Sequence, residues 1–164
     1  MHGNKRFVYE TRPLALTQNI VQGEKYRFTV LTPSLLRMEY SECGIFEDRA
    51  SQSVFFRDFP ATAFSRQQKD GKLIIETANL ILVYQEDAPF SQDTLSVKLK
   101  IEPASTWHYG EAFEDLGGTI KTLDDINGRT ELDAGVCSRN GFSVMDDSRT
   151  MLLNEEGWVE VRRP

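Results

Sequence analysis

Lys25-Tyr-Arg-Phe-Thr-Val-Leu-Thr-Pro-Ser-Leu-Leu-Arg-Met-Glu-Tyr40 alternates with a period of two on both sides of a Pro33-Ser34 break. Tyr26, Phe28 and Val30 fall on one side of the first run, with Lys25, Arg27 and Thr29 on the other. In the second run Leu36, Met38 and Tyr40 alternate with Leu35, Arg37 and Glu39. Successive side chains of an extended chain point to opposite faces, so each run predicts a strand. Two runs joined by a proline-containing turn predict adjacent antiparallel strands.

The same period continues outward from this pair. Asp48–Ser53 is polar and reads as a loop, and Val54-Phe55-Phe56 as a short strand. Asp70-Gly71 is a strong two-residue turn signal between Ala61–Gln67 and Lys72–Thr77. Leu80-Ile-Leu-Val-Tyr84 is apolar on both faces, which predicts a strand held between two layers or against a neighbouring domain. After Pro89, Thr94–Ile101 alternates strictly, with Leu95, Val97, Leu99 and Ile101 inward and Thr94, Ser96, Lys98 and Lys100 outward. No apolar i, i+3, i+4, i+7 pattern persists for ten residues. Short strands at regular spacing with turn residues between them predict an all-β sandwich or barrel.

A chain of 164 residues fits one domain and can bury a core. Its net charge of −6 disfavours non-specific attraction to nucleic-acid phosphates or anionic lipid, and no basic stripe reverses that. Neither a nucleic acid nor a membrane is expected as a partner. Cys43 and Cys137 are the only cysteines. Without a Cys-x-x-Cys spacing they predict neither a zinc site nor a disulfide framework, but reduced, partly buried thiols. The basic amino-terminal residues Met1–Phe7 lack a following apolar segment, so no signal peptide is read and a cytoplasmic location is expected. No run of about 18 apolar residues is present to span a bilayer.

Tyr109–Ser148 differs from the rest: rich in Gly, Asp, Asn, Ser and Arg, with no long apolar period. An excursion of this length between strands costs ordering entropy without adding core, which points to an insert or a functional loop. Tyr109, Phe113, Leu116, Leu123, Leu132 and Phe142 are candidate anchors for an ordered one. Within it, Leu-Gly-Gly-Thr-Ile-Lys-Thr-Leu-Asp at 116–124 is followed by Ser-Arg-Asn-Gly-Phe-Ser-Val-Met-Asp-Asp-Ser at 138–148. Together with Leu31–Tyr40 and Phe46-Glu-Asp-Arg-Ala-Ser51, this order resembles the N-terminal domain of glycoside hydrolase family 31. That family contains retaining α-glucosidases, α-xylosidases and α-glucosyltransferases.

The resemblance implies a two-sheet antiparallel β-sandwich of the galactose-mutarotase-like superfold, with residues 1–164 as a single N-terminal domain. The chain stops at Val159–Pro164, in what reads as a strand or its exit, and the resemblance implies a catalytic (β/α)8 barrel after residue 164. That barrel would be the domain's partner, and an α-linked oligosaccharide would be bound through it.

Retaining glycoside hydrolysis needs two carboxyl groups held about 5–5.5 Å apart. The resemblance places that pair on barrel strands, the nucleophile in an Asp-Met-Asn-type segment that is absent here; Asp146-Asp147-Ser148 does not match it. No catalytic residue, cofactor or metal ligand is therefore assigned. The resemblance also implies that an N-terminal loop reaches over the barrel mouth. Asp124, Asp125, Asn127 and Arg129, in Ile120–Ser138, are residue types that hydrogen-bond sugar hydroxyls in defined directions, and they are the candidate substrate-binding residues. The competing explanation is turn chemistry around Gly128.

Gly117-Gly118 is read as permitting close backbone approach or positive φ. Asn140-Gly141 is read as a hairpin turn with Phe142 and Val144 on the returning strand, and Arg139 as a partner for Asp146 or Asp147. Trp107 and Trp158 are assigned to packing. Two other functions compete with the one the resemblance implies. A stand-alone carbohydrate-binding sandwich would need a row of exposed aromatics, whereas Arg27, Glu39, Lys98 and Lys100 are read as outward. An aldose-epimerase-like enzyme would need a histidine acid and a glutamate base, and only His2 and His108 are present.

Overall fold

The computed structural model describes residues 9–102, 104–118, 127–128, 132 and 135–162. Among them the protein is all-β, with three antiparallel sheets and no α-helix. β1 (Ile20–Gln22), β2 (Tyr26–Thr32) and β3 (Leu35–Tyr40) form the first, in that order. The predicted pairing holds across the proline turn: Tyr26 faces Tyr40 and Phe28 faces Met38, with a bulge between Val30 and Thr32.

β4 (Ser65–Lys69), β5 (Lys72–Glu76), β6 (Leu80–Gln85), β7 (Leu95–Leu99) and β8 (Thr106–His108) form a five-stranded meander. A short hairpin, β9 (Leu152–Leu153) and β10 (Val159–Glu160), is the third sheet.

The β4–β5 hairpin turns on Asp70 and Gly71, both with positive φ (52° and 73°), the geometry of a type I′ turn. Alanine at 71 would carry a Cβ into left-handed backbone space. Gly71→Ala is expected to lower stability by about 1 kcal/mol, read as a lower urea midpoint at unchanged m. An unchanged midpoint would mean the turn relaxes to another type.

The inner faces of the two larger sheets share one core. β2 supplies Tyr26, Phe28 and Val30; the meander supplies Leu73, Ile75, Leu80, Leu82, Tyr84, Leu95, Val97, Leu99 and Trp107. The Tyr84 ring stands edge-on to both Tyr26 and Phe28, at 5.0 and 5.3 Å, and Phe90 stacks on Phe28 at 5.7 Å. Tyr26 and Tyr84 keep their hydroxyls paired at the core's rim: Tyr26 donates to Glu86 Oε1 and Tyr84 to the Ala88 carbonyl, both at 2.6 Å. At the opposite end Thr77 donates to the Pro33 carbonyl at 2.7 Å, tying one sheet's turn to the other's.

Several sequence expectations are corrected. Val54–Phe56 is not a strand; Phe56 makes only an isolated bridge to Arg12. The strand expected from Ala61 begins at Ser65. β6 is fully buried on one face only, with Ile81 and Val83 partly exposed on the other. β7 ends at Leu99, leaving Ile101 exposed. Phe142 and Val144 pack against the core without forming a strand. Trp158 is 55 % exposed rather than packed, because it sits in the turn that connects β9 to β10. Cys43 and Cys137 are free and exposed rather than partly buried.

Of Arg27 and Glu39, both read as outward, Arg27 is buried and Glu39 is largely covered, because the outer face of the small sheet is overlaid by other segments. Arg27 binds Glu39, Asp48 Oδ1 and the Glu47 carbonyl, with the Phe46 ring 5.0 Å from its guanidinium. The β9–β10 hairpin closes this layer through the Leu153 amide, which donates to the Ala50 carbonyl at 2.8 Å, and a Ser51–Leu152 bridge.

Candidate functional site

The loop singled out by sequence rises from a base that the structure describes. Asp115 and Ser138 form an antiparallel bridge, Leu116 N donates to the Cys137 carbonyl, and Arg139 N to the Glu114 carbonyl. Asp115 spends one carboxylate oxygen on the Gly117 amide and the other on the Gly135 amide at 2.7 Å. Gly117 has φ +70°, and a Cβ on Gly135 would lie 2.7 Å from the Gly117 carbonyl oxygen. The glycines thus serve both positive φ and close approach, as the sequence suggests. Gly135→Ala meets backbone rather than a flexible side chain, so it is expected to cost about 1–3 kcal/mol. Amide shifts should move at Asp115–Gly118 and Val136–Arg139 while the core amides stay in place; shifts confined to residue 135 would mean the base is soft.

Of the four predicted substrate-binding residues, Asn127 is described and is exposed, beside Gly128 at φ +112°. Asp124, Asp125 and Arg129 lie outside the described residues, as does the anchor Leu123. Phe113 and Phe142 do anchor the loop base, with ring centroids 6.1 Å apart, whereas Leu116 and Leu132 are mostly exposed.

The partner predicted for Arg139 is different. Asp147 accepts from Ser51 Oγ at 2.8 Å and lies 3.9 Å from Arg162. Asp146 accepts from Ser148, whose hydroxyl and then its amide lower the Asp146 pKa. The Asp-Asp-Ser segment therefore fastens the C-terminal hairpin to the polar layer beneath it. In that layer burial holds the Arg57 guanidinium down, against the attraction of Glu39 and Asp147. Burial pushes Arg37 down to about 10, still charged at neutral pH. It also works against Arg27, but the hydrogen bonds and charges of Glu39 and Asp48 outweigh it and raise that pKa.

Sequence reasoning set His108 aside, and no signal pointed to its contact with Glu111. The Glu111 carboxylate accepts from the His108 amide at 2.8 Å and lies 3.3 Å from the ring Nδ1; the amide bond is the largest cause of its lowered pKa. Trp107 donates its indole N–H to the Glu111 carbonyl at 3.0 Å and is buried in the core, as assigned. An epimerase needs its acid and base at two separate atoms of a sugar. Here the carboxylate is spent on the histidine itself, which argues against that chemistry at this pair.

Among the described residues no group of His, Cys, Asp and Glu could hold a metal ion, and no helix is long and apolar enough to cross a membrane. No protein-family model matches this chain. No curated protein matches it either.

Proposed function

We propose that this chain is the non-catalytic N-terminal domain of a retaining α-glycosidase of the glycoside hydrolase family 31 type, acting in carbohydrate metabolism in the cytoplasm. It supports a following (β/α)8 barrel and lends the Ile120–Ser138 loop to that barrel's pocket for an α-linked oligosaccharide. The ordered motifs from Leu31 to Ser148 motivate the reading.

The observation that carries it is the surface of the last hairpin. Met151, Trp158, Val159 and Val161 are all about half-exposed or more around β9 and β10. Apolar side chains grouped this way favour coverage by another protein surface. The loop base pinned by Asp115 gives the 120–138 segment a defined origin, as a loop reaching a neighbouring domain requires. Exposed, unpaired Cys43 and Cys137 suit a reducing compartment.

The test is hydrolysis of aryl α-glucoside and α-xyloside by this chain and by the product of the full reading frame that encodes it. Turnover is expected only from the longer product. There, Asp124→Ala or Asp125→Ala should lower kcat/KM about tenfold, the loss of one charge-assisted hydrogen bond of about 1.5 kcal/mol. Turnover by the 164-residue chain would overturn the assignment, since the catalytic carboxylates would have to lie within it.

A further inference from the structure

The outer face of the five-stranded sheet carries a feature that the glycosidase reading does not use. Strand register lines up Gln67, Ile74, Val83, Ser96 and His108 in one row across all five strands. Above Val83 and Ser96 lies a groove of about 500 Å³, walled by Lys72 and Gln85 on one side and by Asp93, His108 and Glu111 on the other.

Its polar groups are partly committed: Thr94 is bonded to Ser91 and to the Pro89 carbonyl, and Gln92 donates to Glu111. Glu111 orients the His108 ring through Nδ1, and among the described residues no hydrogen bond engages Nε2. Among the described residues, the Lys72 ammonium, the Asp93 carboxylate and the Ser96 hydroxyl make no side-chain hydrogen bond or ion pair. Gln85, by contrast, is pinned to the Gly71 carbonyl at 3.0 Å.

These groups select a ligand class. One ammonium against two carboxylates leaves the rim slightly negative, which works against a phosphate or other anion. A mixed set of donors and acceptors, with Val83 as the one partly exposed aliphatic side chain of the floor, matches a small molecule whose every polar group both donates and accepts. The volume falls within the range of small-molecule sites. We propose that this groove binds a neutral mono- or disaccharide, at a site on the sandwich face separate from the 120–138 loop. Trp107, on the opposite face of β8, is buried and cannot serve as a stacking platform. Affinity therefore rests on hydrogen bonds exchanged against water, with an expected Kd of about 1–10 mM.

The experiment is a ¹⁵N-amide titration of the chain with methyl α-glucoside, methyl α-xyloside and maltose, with inorganic phosphate as the contrasting probe. At least one sugar should give saturable shifts at Lys72, Val83, Asp93–Ser96 and His108. Lys72→Ala and Asp93→Ala should each weaken it about three- to tenfold, one hydrogen bond's worth. Both residues are exposed and, among the described residues, unpaired, so neither change should disturb the fold, which the remaining amide spectrum checks. Non-saturating shifts, saturable shifts mapping to Asn127 instead, indifference to both substitutions, or preference for phosphate would each overturn the proposal. The outcome is independent of the hydrolysis assay, so this site and the accessory-domain reading can fail separately.

Discussion

Phe28→Ala is expected to remove most of the protein's stability. Phe28 has no solvent exposure, sits in the middle of β2, and touches Tyr26, Tyr84 and Phe90. With Tyr26, it is one of the two β2 rings that meet Tyr84 of the meander. Truncating a buried phenylalanine costs about 3–5 kcal/mol in lost transfer free energy and cavity. Each aromatic pair forfeited adds about 0.5–1.5 kcal/mol. The cavity cannot collapse readily, because its walls lie on two different sheets whose separation is set by the other core residues.

Against a total stability of about 5–15 kcal/mol, the variant should be partly unfolded or show a much lower urea midpoint. Phe28→Leu keeps much of the volume and should recover about half of the loss. A drop under about 1 kcal/mol for Phe28→Ala would mean that the two sheets do not share a core.

Glu39→Ala is expected to be the second most damaging change, although Glu39 is a charged residue on a strand face that alternation assigns to solvent. Its side chain is 14 % exposed and accepts from Arg27 Nε at 2.7 Å and Nη2 at 3.0 Å, with Arg37 Nη2 2.7 Å away. Removing it leaves two covered guanidinium groups without their main counter-charge. Breaking such a pair costs about 3–5 kcal/mol when fully buried, and residual solvent access places this one near 3 kcal/mol.

Arg27→Met combined with Glu39→Ala should cost less than the sum of the two single changes, since it withdraws one stranded charge along with its partner. A double-mutant cycle on urea midpoints measures this. Strict additivity would show that Arg27 and Glu39 are not coupled. The Lys25–Glu42 pair, 2.8 Å long but exposed, is the contrasting case, and its loss should be barely measurable.

The contrast between Phe28 and Glu39 marks how far sequence reading reached. Alternation along Tyr26–Val30 and Leu95–Leu99, the β2–β3 pairing and the Asp70-Gly71 turn were all legible. Each depends on neighbours two to fifteen residues away and on a fixed geometric period. The same local logic identified Trp107 as packing and Gly117 as a positive-φ position.

Where it failed, a distant segment had intervened. Arg27 is buried and Glu39 largely covered because residues 46–57 and the β9–β10 hairpin fold across them. Val54–Phe56 has the composition of a strand, yet among the described residues only Arg12 forms a bridge with it. Asp147 chose Ser51, 96 residues away, over the nearby Arg139.

For function, sequence motifs alone point to the family-31 resemblance and to Asp124, Asp125, Asn127 and Arg129 as sugar ligands; of these the structure describes only Asn127. It is the tertiary structure that places Lys72, Asp93 and His108 around one groove, since they come from β5, the loop before β7 and β8. The all-β class was written in the sequence because side-chain period is a property of a few adjacent residues. The buried charge layer and the groove were not, because they arise only when segments far apart in the chain share a surface.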